Sequence, residues 1–554
     1  MTDLFTPPPP DFGAPKKFPT WREGQDKLFW DVIDCKLPYS IHNASVGCGK
    51  SLAYLTAALA SGKRVAFLTE SKGLQDQLQK DFGSVGLFDM RGLQNYTCRA
   101  LDQGGHLETL WKARWGRPTC DIGPCTAGIR CDLKNSGCDY FDDNRRACAA
   151  NLVSTNYAYW IAIHKYGQGL GKFDWLVLDE AHAAPDALSA ALSVEFTQKD
   201  FKELKTMPPQ QDATPQAWRM WSRVQLGRVQ NKLEFFAHGA KIGNTGIDGI
   251  AMMVNDTDIP DATELKFWKK LEGKCQMISE SGDNDWVIDV NADSGNVRMA
   301  PVWVRHQAAP YLFRNIPRVI MMSATVREKT ADLLGIPIGK YEFTEYPSTF
   351  PVERRPLFWI PTVRLNKDMP QNDMRSWVVR IDQIIAYYAR YGLKGIVHTV
   401  SYPKQKYILA HSRFKHLMHA NTPGTAREVV KSFRDSAGPA VLVSPSVGTG
   451  FDFPFDAARF QIIAKLPFRD QRSKVLQVQA KEDPKFLDYL VAQDLLQMYG
   501  RINRDPFDAG HSWIIDDHIE WFIKKKELFA QYFLDAFTPV TSICPDMEFL
   551  LHDA

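Results

Sequence analysis

The sequence lacks any long apolar run. None of its hydrophobic stretches approaches the ~20 residues that a membrane-spanning helix needs, so we expect no membrane partner. The first 17 residues, MTDLFTPPPPDFGAPKK, also lack the apolar core of a secretory signal. Their prolines predict an extended lead-in. The chain is therefore expected to be intracellular.

A strong charge imbalance is missing too. The net charge is only +3 over 554 residues, so any surface for an acidic polymer such as nucleic acid has to be local. Hydrophobic residues make up 44% and charged residues 24%, which is typical of a globular protein with a real core. At about 100–200 residues per domain, the length predicts three or four units.

Cysteine is scarce outside one patch. Of the ten cysteines, six lie within about fifty residues and four are scattered. In a large chain without a secretory signal, such a patch favours a metal site over disulfides. The six are Cys98, Cys120, Cys125, Cys131, Cys138 and Cys148.

Short, continuously apolar runs alternate with helix-like segments, which is typical of parallel sheets covered by helices on both faces. Two sets occur, one before about residue 325 and one after about residue 390. The first set is interrupted by the cysteine patch and by residues 190–300, which hold a helical stretch (214–239) and a predicted hairpin (286–304). The runs are RVAFLTE (64–70), WLVLDE (175–180), RVIMMSA (318–324), GIVHTV (395–400), AVLVSP (440–445), FQIIAKLP (460–467) and SWIIDD (512–517).

A phosphate-loop pattern, ASVGCGKS (44–51), lies between a strand-like and a helix-like segment. Gly47 and Gly49 let the backbone curl so that its N–H groups point at phosphate oxygens. Lys50 would reach the β- and γ-phosphates of ATP, and Ser51 would ligate Mg²⁺. A glycine-containing loop with an incidental GKS is the alternative. The predicted nucleotide loop comprises Ala44, Gly47, Cys48, Gly49, Lys50 and Ser51.

Two adjacent carboxylates end the run WLVLDE. Asp179 would hold Mg²⁺, and Glu180 would orient and deprotonate the attacking water. The alternative is a strand followed by an acidic helix start, which is common in isolation but much less so downstream of a phosphate loop.

A helix-like segment near the carboxyl end, residues 493–510, offers two arginines on one side, Arg501 and Arg504. An arginine supplied from a second lobe can raise the rate of ATP hydrolysis by ~10³–10⁵. Gln497 lies one turn earlier, and Gly500 permits close approach. A surface helix with two arginines is the alternative.

Four motifs in this order, ASVGCGKS, DEAH (179–182), SAT (323–325) and QMYGRINR (497–504), resemble those of superfamily 2 helicases, and more narrowly the XPD/DinG group. The resemblance covers residues 18–517. It includes TESKGLQDQL, similar to the segment that contacts the nucleic-acid backbone, and STNYAYW just before DEAH. One departure is Ala44, which replaces the first glycine of the loop.

Two further motifs extend the resemblance. WREGQ (21–25) is similar to the group's motif beside the adenine, which implies nucleotide contacts from Arg22 and Gln25. SPSVGTGFDFP (444–454) resembles motif V, which implies a role for Gly450 and Asp452 in coupling ATP to nucleic acid. Thr449, where relatives carry glutamate, departs from that motif.

The resemblance implies an α/β fold with two RecA-like parallel-sheet motor lobes, an inserted iron–sulfur domain and a mainly helical arch. The expected boundaries are a proline-rich lead-in (1–17), the first lobe in three parts (18–90, 151–185 and 301–340), the iron–sulfur domain (91–150), the arch (186–300) and the second lobe (341–554).

The cysteine patch would hold a 4Fe–4S cluster. In relatives the ligand set begins at an NYxC-like string and ends at a cysteine followed by an aromatic pair, similar to NYTC (95–98) and CDYF (138–141) here. Cys120 and Cys148 are spare candidates. Four thiolates also suit Zn²⁺, and spacing alone does not separate the two. The ligands implied by the resemblance are Cys98, Cys125, Cys131 and Cys138.

Single strands bind in basic grooves that carry aromatic stacking platforms. For each aromatic candidate the alternative is a core position. The aromatic candidates are Tyr96, Trp111, Trp115, Tyr140, Tyr157 and Trp160, and the basic ones near the cluster are Arg99, Lys112, Arg114 and Arg117.

The resemblance implies a monomeric ATP-dependent DNA helicase that moves 5′→3′ on single-stranded DNA and opens forked duplex DNA. Two alternatives stay open. One is a DNA-stimulated ATPase that remodels nucleoprotein complexes without unwinding, and the other is an RNA helicase, since backbone-gripping motors need not read the 2′-hydroxyl. We expect a cytoplasmic location, in a prokaryotic or phage-infected cell.

Overall fold

The computed structural model describes residues 6–100, 102, 119–127, 131–167, 169–210, 213–241, 262–281, 286–291, 294–366, 368–448, 450–470, 473–505 and 507–552. Six positions named above lie outside these ranges. They are Trp111, Lys112, Arg114, Trp115, Arg117 and Thr449.

The first lobe is built on a seven-stranded parallel sheet with strand order β10-β1-β9-β5-β2-β4-β3. Its central strands are apolar on both faces: in β5, Leu176 and Leu178 pack into one core, and Trp175 and Val177 into the other. This explains the continuous apolar runs of the sequence. The strands are Tyr39–Asn43 (β1), Val65–Thr69 (β2), Leu87–Asp89 (β3), Leu152–Asn156 (β4), Trp175–Asp179 (β5), Arg318–Ser323 (β9) and Tyr341–Glu345 (β10).

Strand β10 extends the first lobe beyond its expected end at residue 340. It pairs in parallel with β1, from Tyr341 beside Tyr39 to Glu345 beside Asn43. The passage to the second sheet therefore comes after residue 345. The helices of this lobe are Gln25–Asp34, Lys50–Ser61, Lys72–Phe82, Asp139–Ala149, Tyr157–Tyr166, Ala184–Leu192, Arg305–Ala308 with a continuing turn at Ala309–Phe313, and Glu328–Leu333.

The second lobe holds another seven-stranded parallel sheet, with strand order β13-β14-β12-β15-β16-β11-β17. The expected α/β class with two parallel-sheet lobes is thereby confirmed. Its strands are Leu357–Val363 (β11), Gly395–His398 (β12), Met418–Ala420 (β13), Val441–Ser444 (β14), Phe460–Ile463 (β15), His511–Asp516 (β16) and Phe537–Pro539 (β17). Its helices are Gln371–Ala389, Tyr402–His411, Ala426–Asp435, Lys474–Glu482, Phe486–Tyr499, Ile519–Phe522, Gln531–Ala536 and Glu548–His552.

The expected arch combines helices with a small sheet. The predicted hairpin is present as antiparallel strands Trp286–Val290 (β7) and Val297–Pro301 (β8), and β8 also pairs with Val194–Phe196 (β6). Its helices are Gln198–Leu204, Pro215–Lys241 and Ala262–Ser279, and the last two pack against each other. Among the described helices of the whole chain, none has both the length and the apolar composition required for crossing a bilayer.

The sheet order of the first lobe places three motifs side by side. Strands β1, β9 and β5 are adjacent, and their carboxyl ends lead into the phosphate loop, SAT and DEAH. Carboxyl ends of parallel strands meet at one edge of the sheet, which is where such folds bind ligands.

Candidate active site

The phosphate loop has the backbone shape that anion binding needs. Gly47 and Gly49 have φ of 77° and 80°, a region that favours glycine. Gly49 caps helix Lys50–Ser61 without a side-chain hydrogen bond, so the helix amino end is available to phosphate. The Lys50 ammonium donates to the carbonyls of Ala44 (3.2 Å) and Ser45 (3.3 Å), which places it across the loop.

The opening motif packs directly onto this loop. The exposed Arg22 donates from Nη1 to the carbonyl of Gly47 at 3.0 Å. The buried Gln25 donates from Nε2 to the carbonyl of Gly49 at 3.1 Å, and its Oε1 accepts the backbone N–H of Arg22. Both residues that the resemblance assigned to the nucleotide therefore lie at its phosphate loop.

Asp179 is buried at the end of β5. Its Oδ2 accepts from the hydroxyl of Tyr54 at 3.0 Å, and Tyr54 is also within hydrogen-bonding reach of Ser51. Burial raises the pKa of Asp179 to about 6, and the charge of Glu180 adds to this effect. Tyr54 thus joins the two residues expected to hold Mg²⁺. No sequence motif identifies this tyrosine, whose position follows the apolar pattern of an ordinary helix.

Glu180 is held as a carboxylate. Burial acts to raise its pKa, but hydrogen bonding to His182, the charge of Lys50 and the hydroxyl of Ser323 together lower the pKa below its usual range. Ser323 Oγ donates to Glu180 Oε2 at 2.9 Å, and His182 Nδ1 lies 3.3 Å from the same oxygen. A carboxylate that stays ionised is suited to accept a proton from water.

A chain of hydrogen bonds connects Glu180 to the second lobe. His182 Nδ1 lies 2.7 Å from Ser323 Oγ, and Gln497 Nε2 lies 3.2 Å from His182 Nε2 and 3.0 Å from Thr325 Oγ1. Because Ser323 donates to Glu180 and Gln497 is the donor at Nε2, one tautomer of His182, protonated at Nδ1, satisfies every contact. Sequence reasoning gave no separate role to His182 or Ser323.

The second lobe completes the chain with arginine. Arg501 donates from Nη2 to Gln497 Oε1 at 2.7 Å and from Nη1 to the carbonyl of Phe451 at 2.9 Å. Arg501 and Arg504 both pair with the carboxylate of Asp452. Burial and the charge of Arg504 lower the pKa of Arg501 to about 10, which leaves it charged at neutral pH.

The arginine segment already lies against the phosphate loop. A Cβ placed on Gly500 would be 2.9 Å from Val46 Cγ2, and one placed on Gly47 would be 2.8 Å from the carbonyl oxygen of Arg504. Gly500 therefore lies in close contact with the phosphate loop, as its lack of a side chain permits. Gly450, with φ of 78°, lies in the same loop as Asp452.

Five thiols of the cysteine patch converge. The thiols of Cys98 and Cys138 lie within hydrogen-bonding reach of Cys120, and these contacts, together with burial, raise the pKa of Cys120. The half-buried Cys125 lies near Cys131, Cys98 and Cys138, and its partial burial raises its pKa. Cys120, a spare candidate in the sequence, is thus central here. The other spare candidate, Cys148, is exposed.

Two of these thiols, Cys98 and Cys120, are buried, and Cys125, Cys131 and Cys138 are half-buried. Within the described ranges, no three His, Cys, Asp or Glu side chains meet in a geometry that would hold a metal ion.

Several aromatic candidates for strand stacking are core residues instead. Trp160 is fully buried, and Tyr157 and Tyr140 are buried in the same core. Tyr157 donates to the carbonyl of Asp179 at 2.8 Å, so it contacts the backbone of the acidic pair. Tyr96 is half-buried, and Arg99 is exposed and pairs with Asp139.

Comparison with known proteins gives a consistent result. Residues 394–536 match the family model described as a helicase C-terminal domain, which includes Gly450, Asp452, Gln497, Arg501 and Arg504. A solved XPD helicase has a TM-score of 0.59 at 14% identity, covering 98% of this chain and 100% of that one. Xpd4 of S. tokodaii has a TM-score of 0.56 at 13% identity, over 94% and 100%. The fold is that of the XPD helicases.

Two curated relatives narrow the resemblance. The ATP-dependent DNA helicase YoaA of Escherichia coli (strain K12) is 27% identical over 255 residues, which cover 37% of this chain and 39% of the relative. YoaA of Haemophilus influenzae is 26% identical over 208 residues, covering 29% and 32%. The matches therefore span about two fifths or less of these relatives. Together the comparisons confirm the resemblance to XPD/DinG-type superfamily 2 helicases.

Proposed function

We propose that the chain is an ATP-dependent DNA helicase that moves 5′→3′ on single-stranded DNA and unwinds duplexes. The observation that carries the proposal is the hydrogen-bonded chain from Arg501 through Gln497 and His182 to Glu180. It joins the second lobe to the predicted base of the first, so the hydrolysis site is complete only when the lobes meet. DNA as the substrate is supported by the YoaA relatives, which are DNA helicases.

The residues divide the chemistry of hydrolysis among them. Lys50 and the helix amino end behind it would bind the phosphates, and Arg501 and Arg504 would stabilise charge on the γ-phosphate. Glu180 would take the proton of the attacking water, and Ser323 and His182 fix its carboxylate. Mg²⁺, held by Ser51 and Asp179, would neutralise phosphate charge.

The cysteine patch is proposed to hold a 4Fe–4S cluster where the strands separate. The convergence of Cys98, Cys120, Cys125 and Cys138 supports it. Asp121 pairs with Lys266 of arch helix Ala262–Ser279 at 2.7 Å, so the cluster domain and the arch are in contact. A single strand passing between them and the first lobe would be enclosed on several sides. The 5′→3′ polarity is a separate expectation that follows from the resemblance.

Unwinding of duplexes with a 5′ or a 3′ single-stranded tail tests the proposal. We expect ATP-dependent opening of the 5′-tailed DNA alone. Hydrolysis stimulated by DNA without strand separation would instead indicate a remodelling ATPase, and equal stimulation by matched RNA an RNA helicase.

The hydrolysis site is tested separately. Glu180→Gln should lower kcat for ATP by about 10²–10⁴-fold and leave ADP binding intact, because it removes the base and keeps the shape. Lys50→Ala should abolish turnover through lost phosphate contacts. Retained turnover in Lys50→Ala would falsify the site assignment, and thermal unfolding of both variants controls for the fold.

A further inference from the structure

Phe350 is an aromatic ring buried without a hydrophobic core. It is 5% exposed, yet within the described residues it belongs to none of the apolar clusters that form the cores of the lobes and the arch. Buried phenyl rings normally gain stability by packing against other apolar side chains. The burial of Phe350 therefore has a different origin.

The ring lies on the phosphate loop. A Cβ placed on Gly47 would be 2.4 Å from Cζ and 3.0 Å from Cε2 of Phe350, so only glycine leaves room for the ring. Arg22 reaches the same residue, donating to the carbonyl of Gly47 at 3.0 Å. Phe350 and Arg22 thus both contact Gly47.

Phe350 is anchored to the second lobe although it touches the first. The buried Arg355 donates from Nε to the carbonyl of Phe350 at 2.9 Å and from Nη1 to the carbonyl of Tyr532 at 2.5 Å. Tyr499, at the end of the helix that carries Gln497, donates to the carbonyl of Arg355 at 2.6 Å. The backbone N–H of Tyr346, by contrast, donates a hydrogen bond to the carbonyl of Asn43 in the first lobe. The connection between lobes therefore carries Phe350 on its second-lobe side.

We propose that Phe350 contacts the nucleoside part of the bound nucleotide and stacks on it as the lobes close. The phosphates need the polar N–H groups of the loop, so an apolar ring beside that loop serves the part of ATP that is not phosphate. Aromatic rings stack on bases of any kind. The inference rests on the proposed ATP site and adds a contact that none of the sequence motifs contains.

The test compares ligands with and without a nucleoside. In Phe350→Ala and Phe350→Leu we expect ADP to bind about tenfold more weakly, by displacement of a fluorescent ADP analogue. Inorganic tripolyphosphate, which has no base or ribose, should compete within about twofold of its strength on the unchanged protein. Phe350→Trp, which keeps an aromatic ring, should bind ADP as the unchanged protein does. The leucine variant keeps apolar volume, so it serves even where the alanine variant fails to fold.

Phe507→Ala is the matched control, since this ring is 74% exposed, and it should bind ADP normally. Unchanged ADP binding in Phe350→Leu, or equal weakening of ADP and tripolyphosphate, would overturn the proposal. ADP binding needs no hydrolysis or DNA. Absence of unwinding would therefore contradict the helicase proposal alone. The proposal for Phe350 would still be decided by the ADP-binding measurements.

Discussion

Glu180 has a backbone conformation that is uncommon for glutamate. Its φ of 49° lies in the left-handed region, which costs on the order of 1 kcal/mol or more for a residue with a side chain. The turn comes directly after β5 and brings the carboxylate within 2.9 Å of Ser323 Oγ. Strain of this kind persists where surrounding contacts hold the residue in place. Here Ser323 and His182 hold the Glu180 carboxylate.

Gln497 connects the residues around Glu180 to the arginines of the second lobe. It binds His182, Thr325 and Arg501 with one amide group. Gln497→Ala should lower kcat of DNA-stimulated ATP hydrolysis by about 10–100-fold, because the histidine and the arginine both lose their positioning partner. The Kd for ADP should stay within about twofold. Steady-state kinetics and nucleotide binding measure the two quantities.

Gln493→Ala is the matched control on the same helix. Within the described part of the chain, Gln493 donates to the backbone carbonyl of His182 at 3.3 Å and to no side chain of the site, so kcat should fall by less than about threefold. Equal losses in the two variants would mean that the helix as a whole matters and the amide of Gln497 does not.

The site residues were only partly predictable from the sequence. The loop, Asp179 and Glu180 follow from short motifs at strand ends, because carboxyl ends of neighbouring parallel strands must meet. Tyr54 and Phe350 could not be found this way. Their contacts with Asp179 and Gly47 join segments far apart in sequence, and each reads locally as an ordinary apolar position.

At the scale of elements, the strands were the most predictable part. Continuous apolar runs gave β2, β5, β9 and the central strands of the second sheet, because these are buried on both faces. Strand β10 was missed because it lies at the sheet edge, where its residues are mostly half-buried and no apolar run marks it.

In the cysteine region, the structure brings a fifth thiol close to the four that the resemblance implies. The set inferred from resemblance omits Cys120, yet Cys120 is 2% exposed and its thiol donates to the carbonyl of Thr97 at 3.4 Å, between Cys98 and Cys138. Short 3₁₀ turns at Cys120–Ile122 and Pro124–Ala127 fold the segment back on itself. Distance along the chain therefore says little about which thiols meet.

We predict that Cys120→Ser lowers bound iron to less than about half, because the substitution replaces a central thiolate by a hydroxyl that binds iron–sulfur clusters poorly. Iron analysis and visible absorption of anaerobically purified protein measure it. Cys148→Ser, at an exposed thiol facing Asn144, should keep its iron. Full iron in Cys120→Ser would assign the fourth cluster ligand to Cys131. Zinc bound instead of iron would rule out the cluster.

At the scale of the whole molecule, one helix connects the arch to the ATP site. Helix Phe486–Tyr499 carries Gln497 at its end, and at its start the ring of Phe486 packs edge-on against Trp303 at 5.0 Å. Trp303 follows the last arch strand, β8, and donates to Glu482 Oε2 at 2.5 Å. A movement of the second lobe on nucleotide binding would therefore move the root of the arch as well.

Trp303→Ala tests this connection. The residue touches neither the phosphate loop nor the acidic pair, so DNA-stimulated hydrolysis should stay within about threefold, while base pairs opened per ATP should fall about fivefold, within the 0.5–2 kcal/mol by which such coupling residues act. Trp521→Ala, which removes a tryptophan that packs on Phe522 and Lys525 of the second lobe, should change neither quantity. Parallel loss of hydrolysis and unwinding in Trp303→Ala would show that the contact stabilises the closed lobes. A loss confined to unwinding assigns it to transmitting lobe movement to the arch.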